Sequence, residues 1–217
     1  MEIILIDAGR MKYRDAWEMQ RRLVDDRSSD KVPDVLILVE HDHVITHGRR
    51  SAEGEAEGVI DGVEHVRVER GGLATYHGPG QLVGYPIVKL QDRFGDIKGH
   101  VRRIEETLVR TLADFSITAS RREGHPGIWA GDRKIASIGV AVRDSVTFHG
   151  FALNVDPDMK YFWLIEPCGL RPDAMTSMGQ VLGRKVTIDE VKPVLLSKFE
   201  EVFGRKIVIS NGTDRLL

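Results

Sequence analysis

The 217 residues carry 31 lysines and arginines against 33 aspartates and glutamates, a formal charge of -2, with 41% hydrophobic and 29% charged residues. That balance excludes a polyanion-binding surface and a disordered chain, so no nucleic-acid partner is expected, and the length suits one core rather than two full domains. A lone cysteine, Cys168, excludes an internal disulfide, and with no basic leader and no apolar run of spanning length the expectation is a cytoplasmic protein without a membrane partner.

In chain order, the apolar run Ile3 to Ile6 predicts a strand, and Tyr13, Ala16, Trp17, Gln20, Leu23 and Val24 recur at helical spacing before a second strand-length run, Val35 to Val39. Ser51 to Gly58, SAEGEAEG, reads as an acidic loop. Arg70 to Gln81, RGGLATYHGPGQ, has four glycines and a proline, the marks of a backbone left open to something that approaches it. Val101, Ile104, Leu108, Leu112 and Phe115 form one apolar stripe, a second helix. A β-rich block follows: Gly127 to Ala130, Lys134 to Val142 and Val146 to Val155, joined by the turn pairs Gly131-Asp132 and Arg143-Asp144, a meander. Thr187 and Glu190 make a capping-box pair ahead of Val191, Val194, Leu195, Phe199 and Val202, with Gly204 as the stop. Residues 1–217 are read as a single domain, with those from about 187 forming a C-terminal helix and strand cap.

Side chains that carry chemistry are few. Cys168 sits in EPCGL, between proline and glycine, a setting for an irregular, exposed backbone; a lone cysteine is otherwise a small buried hydrophobe. Lys134 opens the run KIASIGVAV where a turn hands over to a strand. Beside a thiol, its ammonium would favour the thiolate and lower the cysteine pKa. His41, His43 and His47 invite a metal site, but no carboxylate or cysteine pattern completes one, so no metal is expected. His77 and His149 each adjoin glycine, where a ring reaches a ligand lying along open backbone. Neither the phosphate-loop nor the dinucleotide glycine pattern is present.

Together RGGLATYHGPGQLVGYPI, GIWAGDRKIASIGVAV, FHGFALNV and PCGL followed by TS resemble the lipoyl(octanoyl) transferases, continuously from about Tyr13 to Ser177. The resemblance implies an α/β fold of the α+β type, a mixed β-sheet flanked by helices, similar to biotin and lipoate protein ligase catalytic domains. It implies octanoyl transfer from octanoyl-acyl carrier protein to a specific lysine of lipoyl-accepting domains, with no cofactor and a monomeric enzyme. The acceptors would be the lipoyl domains of 2-oxoacid dehydrogenase complexes and the glycine cleavage H protein. By position, Cys168 would be the nucleophile and acyl carrier, and Lys134 the residue that lowers its pKa and handles protons.

The same resemblance implies that Arg70, Gly71, Gly72, Leu73, Ala74, Thr75, Tyr76 and His77, with Ser137, Ile138 and Gly139 and with Gly150, Phe151 and Ala152, line the acyl pocket, supported by His149 and Arg49. Tyr76 and Phe151 are expected at the pocket floor, oxyanion donors at Gly71, Gly72 or Gly169, and arginines at the mouth, Arg49, Arg50 and Arg70, to steer acidic protein substrates. An ATP-dependent lipoate or biotin-type ligase shares that fold, and a non-catalytic acyl-binding module would have only the pocket. The PCGL cysteine and RGGLATYH favour a transferase over the ligase, and the co-occurrence of Cys168 and Lys134 argues against the module.

Overall fold

The computed structural model describes residues 2–51, 57–91, 96–165 and 172–209. The chain begins β1 (Glu2–Met11), α1 (Tyr13–Ser28), β2 (Val35–His41), β3 (Val44–His47), β4 (Gly58–Ile60), β5 (Val63–Arg67), β6 (Ala74–His77) and β7 (Gln81–Ile87). It continues α2 (Ile97–Asp114), β8 (Ser120–Arg122), β9 (His125–Ala130), β10 (Arg133–Arg143) and β11 (Val146–Asn154), then α3 (Met178–Leu182), α4 (Ile188–Phe203) and β12 (Lys206–Ile209). Short 3-10 turns at Met159–Leu164 and Pro172–Ala174 lie between β11 and α3.

Among the described residues, the larger sheet has the order β12-β1-β2-β7-β11-β10-β9-β8, and a smaller one has the order β4-β5-β3-β6. Both are mixed: β1 pairs in parallel with β12 and β2, and β3 with β5, while the other pairings are antiparallel. The apolar run in β2 needs cover on both faces, because its side chains alternate. Leu36 and Leu38 pack with Leu108 and Leu112 of α2 and Leu195 and Phe199 of α4. Val35, Ile37 and Val39 pack on the other side with Ala16, Leu23 and Val24 of α1. Each such side chain contributes roughly 1.5–3 kcal/mol by leaving water.

The expected meander is β9-β10-β11, and the expected helices are α1, α2 and α4. The capping box is formed: Thr187 N–H donates to Glu190 Oε2 at 2.7 Å, and Glu190 N–H donates to Thr187 Oγ1 at 3.3 Å. Gly204 ends α4 in the left-handed conformation at φ +62. The smaller sheet was not foreseen, and it corrects the reading of Arg70 to Gln81 as open backbone. Ala74–His77 is a strand buried at all four positions, and Gln81 opens β7 inside the main sheet. No described helix is long and apolar enough to cross a membrane.

Candidate active site

Small residues on β10 and β11 leave room above the main sheet. Ser137 pairs with Ala152, Ile138 with Phe151 and Gly139 with Gly150. Over them lies the segment after β5, whose Gly71 N–H donates to Val140 O at 3.3 Å. A Cβ on Gly139 would stand 3.1 Å from both Gly71 O and Arg70 Cδ, a tight contact that glycine avoids. Between segment and sheet is a cavity of about 590 Å³.

Lys134, only 2% exposed, reaches this cavity from the first turn of β10. Its stem passes Gly127, where an added Cβ would stand 2.4 Å from Lys134 Cε. Lys134 O accepts the Thr176 N–H at 2.9 Å, and Lys134 bridges Met175 in parallel. The chain that leaves the PCGL motif is thereby fixed beside Lys134. Cys168 and Gly169 lie outside the described residues.

Of the residues expected in the wall, Arg70, Gly71, Gly72, Leu73, Thr75 and His77, Ser137, Ile138 and Gly139, and Gly150, Phe151 and Ala152 border the cavity, as do His149 and Arg49. Ala74 and Tyr76 do not, which corrects their assignment. Strand alternation on β6 points Thr75 and His77 one way and Ala74 and Tyr76 the other. Tyr76 packs instead with Phe162 and Met175, stacks on Tyr161 at 5.2 Å, and its hydroxyl bonds His43 Nδ1 at 2.8 Å. The floor is therefore not built with Tyr76. Tyr13, which helical spacing marks only as a position on an apolar helix face, and Tyr85 border the cavity together with Ile97, Val101 and Pro126.

Arg70 is not at the mouth either. It is 7% exposed, and its guanidinium donates to Thr46 O at 2.7 Å and Leu73 O at 2.8 Å. It holds the carbonyls of its own loop in place. Arg49 and Arg50 are exposed and remain at the rim. Gly71 is removed as an oxyanion donor, because its N–H is spent on Val140 O.

Burial governs the titratable groups. It lowers the pKa of His41 to about 4, that of His77 well below the ordinary imidazole value, and that of His149 in the same direction, so these rings are neutral at pH 7. Burial likewise raises the phenols Tyr13 and Tyr85. Glu69 goes the other way, to about 2, chiefly through its hydrogen bond from His149 at 3.4 Å, with Trp17 Nε1–H donating as well at 3.0 Å. The three histidines considered for a metal have separate partners: His41 bonds Tyr85, His43 bonds Tyr76 and His47 bonds His65. Among the described residues, no three or more His, Cys, Asp or Glu side chains group as metal ligands.

A buried lysine at one end of a channel walled by glycine, alanine and aromatic residues suits chemistry on the carbonyl of an aliphatic acyl group. Residues 12–200 match the family model described as lipoyl protein ligase A/B catalytic domain. An octanoyltransferase of Acidothermus cellulolyticus is 46% identical over 213 residues, covering 96% of this chain and 93% of its own. Among solved structures, lipoate-protein ligase A bound with ATP superposes with a TM-score of 0.77 at 19% identity, over 99% of this chain and 90% of that one. The biotin protein ligase of Aquifex aeolicus in complex with biotin and ATP gives 0.55 at 12% identity, over 94% and 70%. Those two likenesses establish the fold, a mixed sheet flanked by helices as in lipoate and biotin protein ligases. The chain therefore belongs to the lipoyl protein ligase A/B catalytic-domain family and, within it, to the octanoyltransferases, an acyltransferase enzyme.

Proposed function

We propose that this enzyme moves an octanoyl group from octanoyl-acyl carrier protein to one lysine of a lipoyl-accepting domain, through a thioester on Cys168. The observation that carries the reading is Lys134: a lysine 2% exposed, at the end of an acyl-sized channel, bridged to the chain that leaves PCGL. In the first half-reaction the Cys168 thiolate attacks the carrier thioester. A new carbon–sulfur bond forms, the carrier sulfur leaves as a thiolate, and it takes the proton that Lys134 gives up. One thioester replaces another, so no nucleotide is needed to activate the acyl group.

In the second half-reaction the acceptor lysine arrives as an ammonium and needs a base. Acylation removes the thiolate charge beside Lys134, and a cation that loses an anionic neighbour in a dry site releases its proton more readily. Neutral Lys134 then takes the proton from the incoming amine. The amine attacks the Cys168 thioester, the cysteine sulfur leaves as a thiolate, and the amide forms as its nitrogen releases a second proton to water. The acceptors assigned are the lipoyl domains of 2-oxoacid dehydrogenase complexes and the glycine cleavage H protein, and the enzyme acts as a monomer in the cytoplasm, where its thiol stays reduced. A channel of small residues with Lys134 at one end supports this reading over an acyl-binding module.

The test is transfer from octanoyl carrier protein to a purified lipoyl domain without ATP, followed by peptide mapping of the product. Octanoylation of one lysine is expected, with kcat reduced about 100-fold or more in Lys134→Ala. Dependence on ATP and free octanoate would move the enzyme to the ligases.

A further inference from the structure

The cavity has two ends. Lys134 marks the first, where Met175 and Thr176 join the sheet. Val140 lies six residues further along β10, about 20 Å away at the usual rise per strand residue, and there it pairs with His149 on β11. At that second end the wall is made by four buried rings, Tyr13, His77, Tyr85 and His149, which are 2%, 6%, 3% and 1% exposed.

The four rings brace one another. Tyr13 stacks on His77 at 5.8 Å, and Tyr85 meets His149 edge-on at 6.4 Å. Behind them stands a second layer of polar partners. The Tyr85 hydroxyl bonds His41 Nε2 at 2.8 Å, His77 Nδ1 bonds Gln81 Oε1 at 2.7 Å, and His149 Nε2 bonds Glu69. A hydrocarbon terminus pushed beyond this wall would part polar groups from their partners in a dry site, which costs more than burying a methylene gains.

His149 is the member that the backbone is bent to supply. Its φ is +54, in the left-handed region, in the middle of a strand, and its N–H donates to Gln20 Oε1 on α1 at 2.8 Å. Since Glu69 is a carboxylate and only accepts, His149 carries its proton on Nε2 and keeps a bare lone pair on Nδ1. Nδ1 is buried without a hydrogen-bond partner among the described residues. Packing alone would be better served there by an apolar side chain in extended backbone.

We propose that His149, held by Glu69 and Gln20, is a specificity-determining residue that sets the longest acyl chain the cavity accepts. This rests on the transfer reading given above. With the acyl carbonyl held at the Lys134 end, the methyl end of the chain runs along Gly139 and Gly150 towards the wall, and the imidazole stops it.

The test compares transfer from hexanoyl, octanoyl, decanoyl and dodecanoyl carrier thioesters by the full chain and by His149→Asn and His149→Gly. Both replacements tolerate positive φ and keep the N–H for Gln20, so the backbone is conserved. The decanoyl-to-octanoyl ratio of kcat/KM is expected to rise about tenfold or more in both variants, whereas lost folding alone would lower both rates together. An unchanged ratio overturns the proposal. Displacement of a fluorescent fatty acid by free octanoate and decanoate needs no turnover and gives a second reading: variants must gain affinity for decanoate relative to octanoate, and equal gains would also overturn it. Should the natural chain transfer nothing without ATP, the transfer reading fails, and the displacement experiment still decides the role of His149.

Discussion

Lys134 depends on a residue that carries no chemistry. Gly127 has φ +123, and a Cβ there would meet Lys134 Cε and Ala136 O, each at 2.4 Å. Gly127→Ala is therefore expected to displace the lysine stem and lower kcat by about 100-fold, at a stability cost of about 1–3 kcal/mol for the strained backbone; steady-state rates and thermal melts measure the two effects separately. His100 gives a residue-scale prediction away from the site. It is fully buried on α2, both ring nitrogens lack partners among the described residues, and the ring packs edge-on against Phe203 at 5.8 Å. Burial lowers its pKa from 6.5 to about 4. The unfolded chain then binds the proton more readily, so stability falls as pH drops from about 6.5 towards 4. His100→Leu removes that loss, and its stability relative to the natural chain is expected to be about 2 kcal/mol more favourable at pH 5 than at pH 7, as read by urea unfolding at the two pH values.

At the scale of elements, Asp34 joins three parts of the chain. It is 2% exposed, accepts from Arg27 Nε of α1 at 2.6 Å and from Lys89 N–H after β7 at 3.0 Å, and is also paired with Arg205, just ahead of β12. Asp34→Asn takes the anion from Arg205 and leaves Arg27 with Asp30 alone among the described residues; it is expected to cost about 3 kcal/mol, with hydrogen exchange rising first at the β12 and β1 amides. None of that was legible in the sequence, since Arg27, Asp34, Lys89 and Arg205 are brought together only by the order of strands. The capping box of α4 was legible, because both partners lie within one turn. The smaller sheet was not, because its strands are short, β4 is exposed, and the buried β3 and β6 carry histidines and threonines instead of an apolar alternation. Ala74–His77 was further disguised by glycines on either side, which read as a loop although Gly71 lies against β10 and Gly80 against Asp156 and Pro157.

On the readings proposed above, β10 and β11 carry a reactive end at Lys134 and a closed end at His149. The lining of the channel was expected from the resemblance of RGGL, SIG and GFA to the transferase motifs, and those residues border the cavity. The closed end was not, because Tyr13, Glu69 and Tyr85 look like ordinary core and surface positions until α1, the segment after β5 and β7 meet. The rim carries exposed Arg49 and Arg50, which under the proposed transfer would steer an acidic donor protein. The central claim is that the acyl group rests on Cys168 before it reaches an amine. Its most direct test is the intact mass of the enzyme after incubation with octanoyl carrier protein, without ATP or acceptor, for the natural chain and for Cys168→Ser and Lys134→Ala. The account predicts one octanoyl adduct that hydroxylamine removes, absent from Cys168→Ser and slow to form in Lys134→Ala. An enzyme that completes transfer while Cys168→Ser does so equally well, or that acquires its acyl group only with ATP, would contradict it.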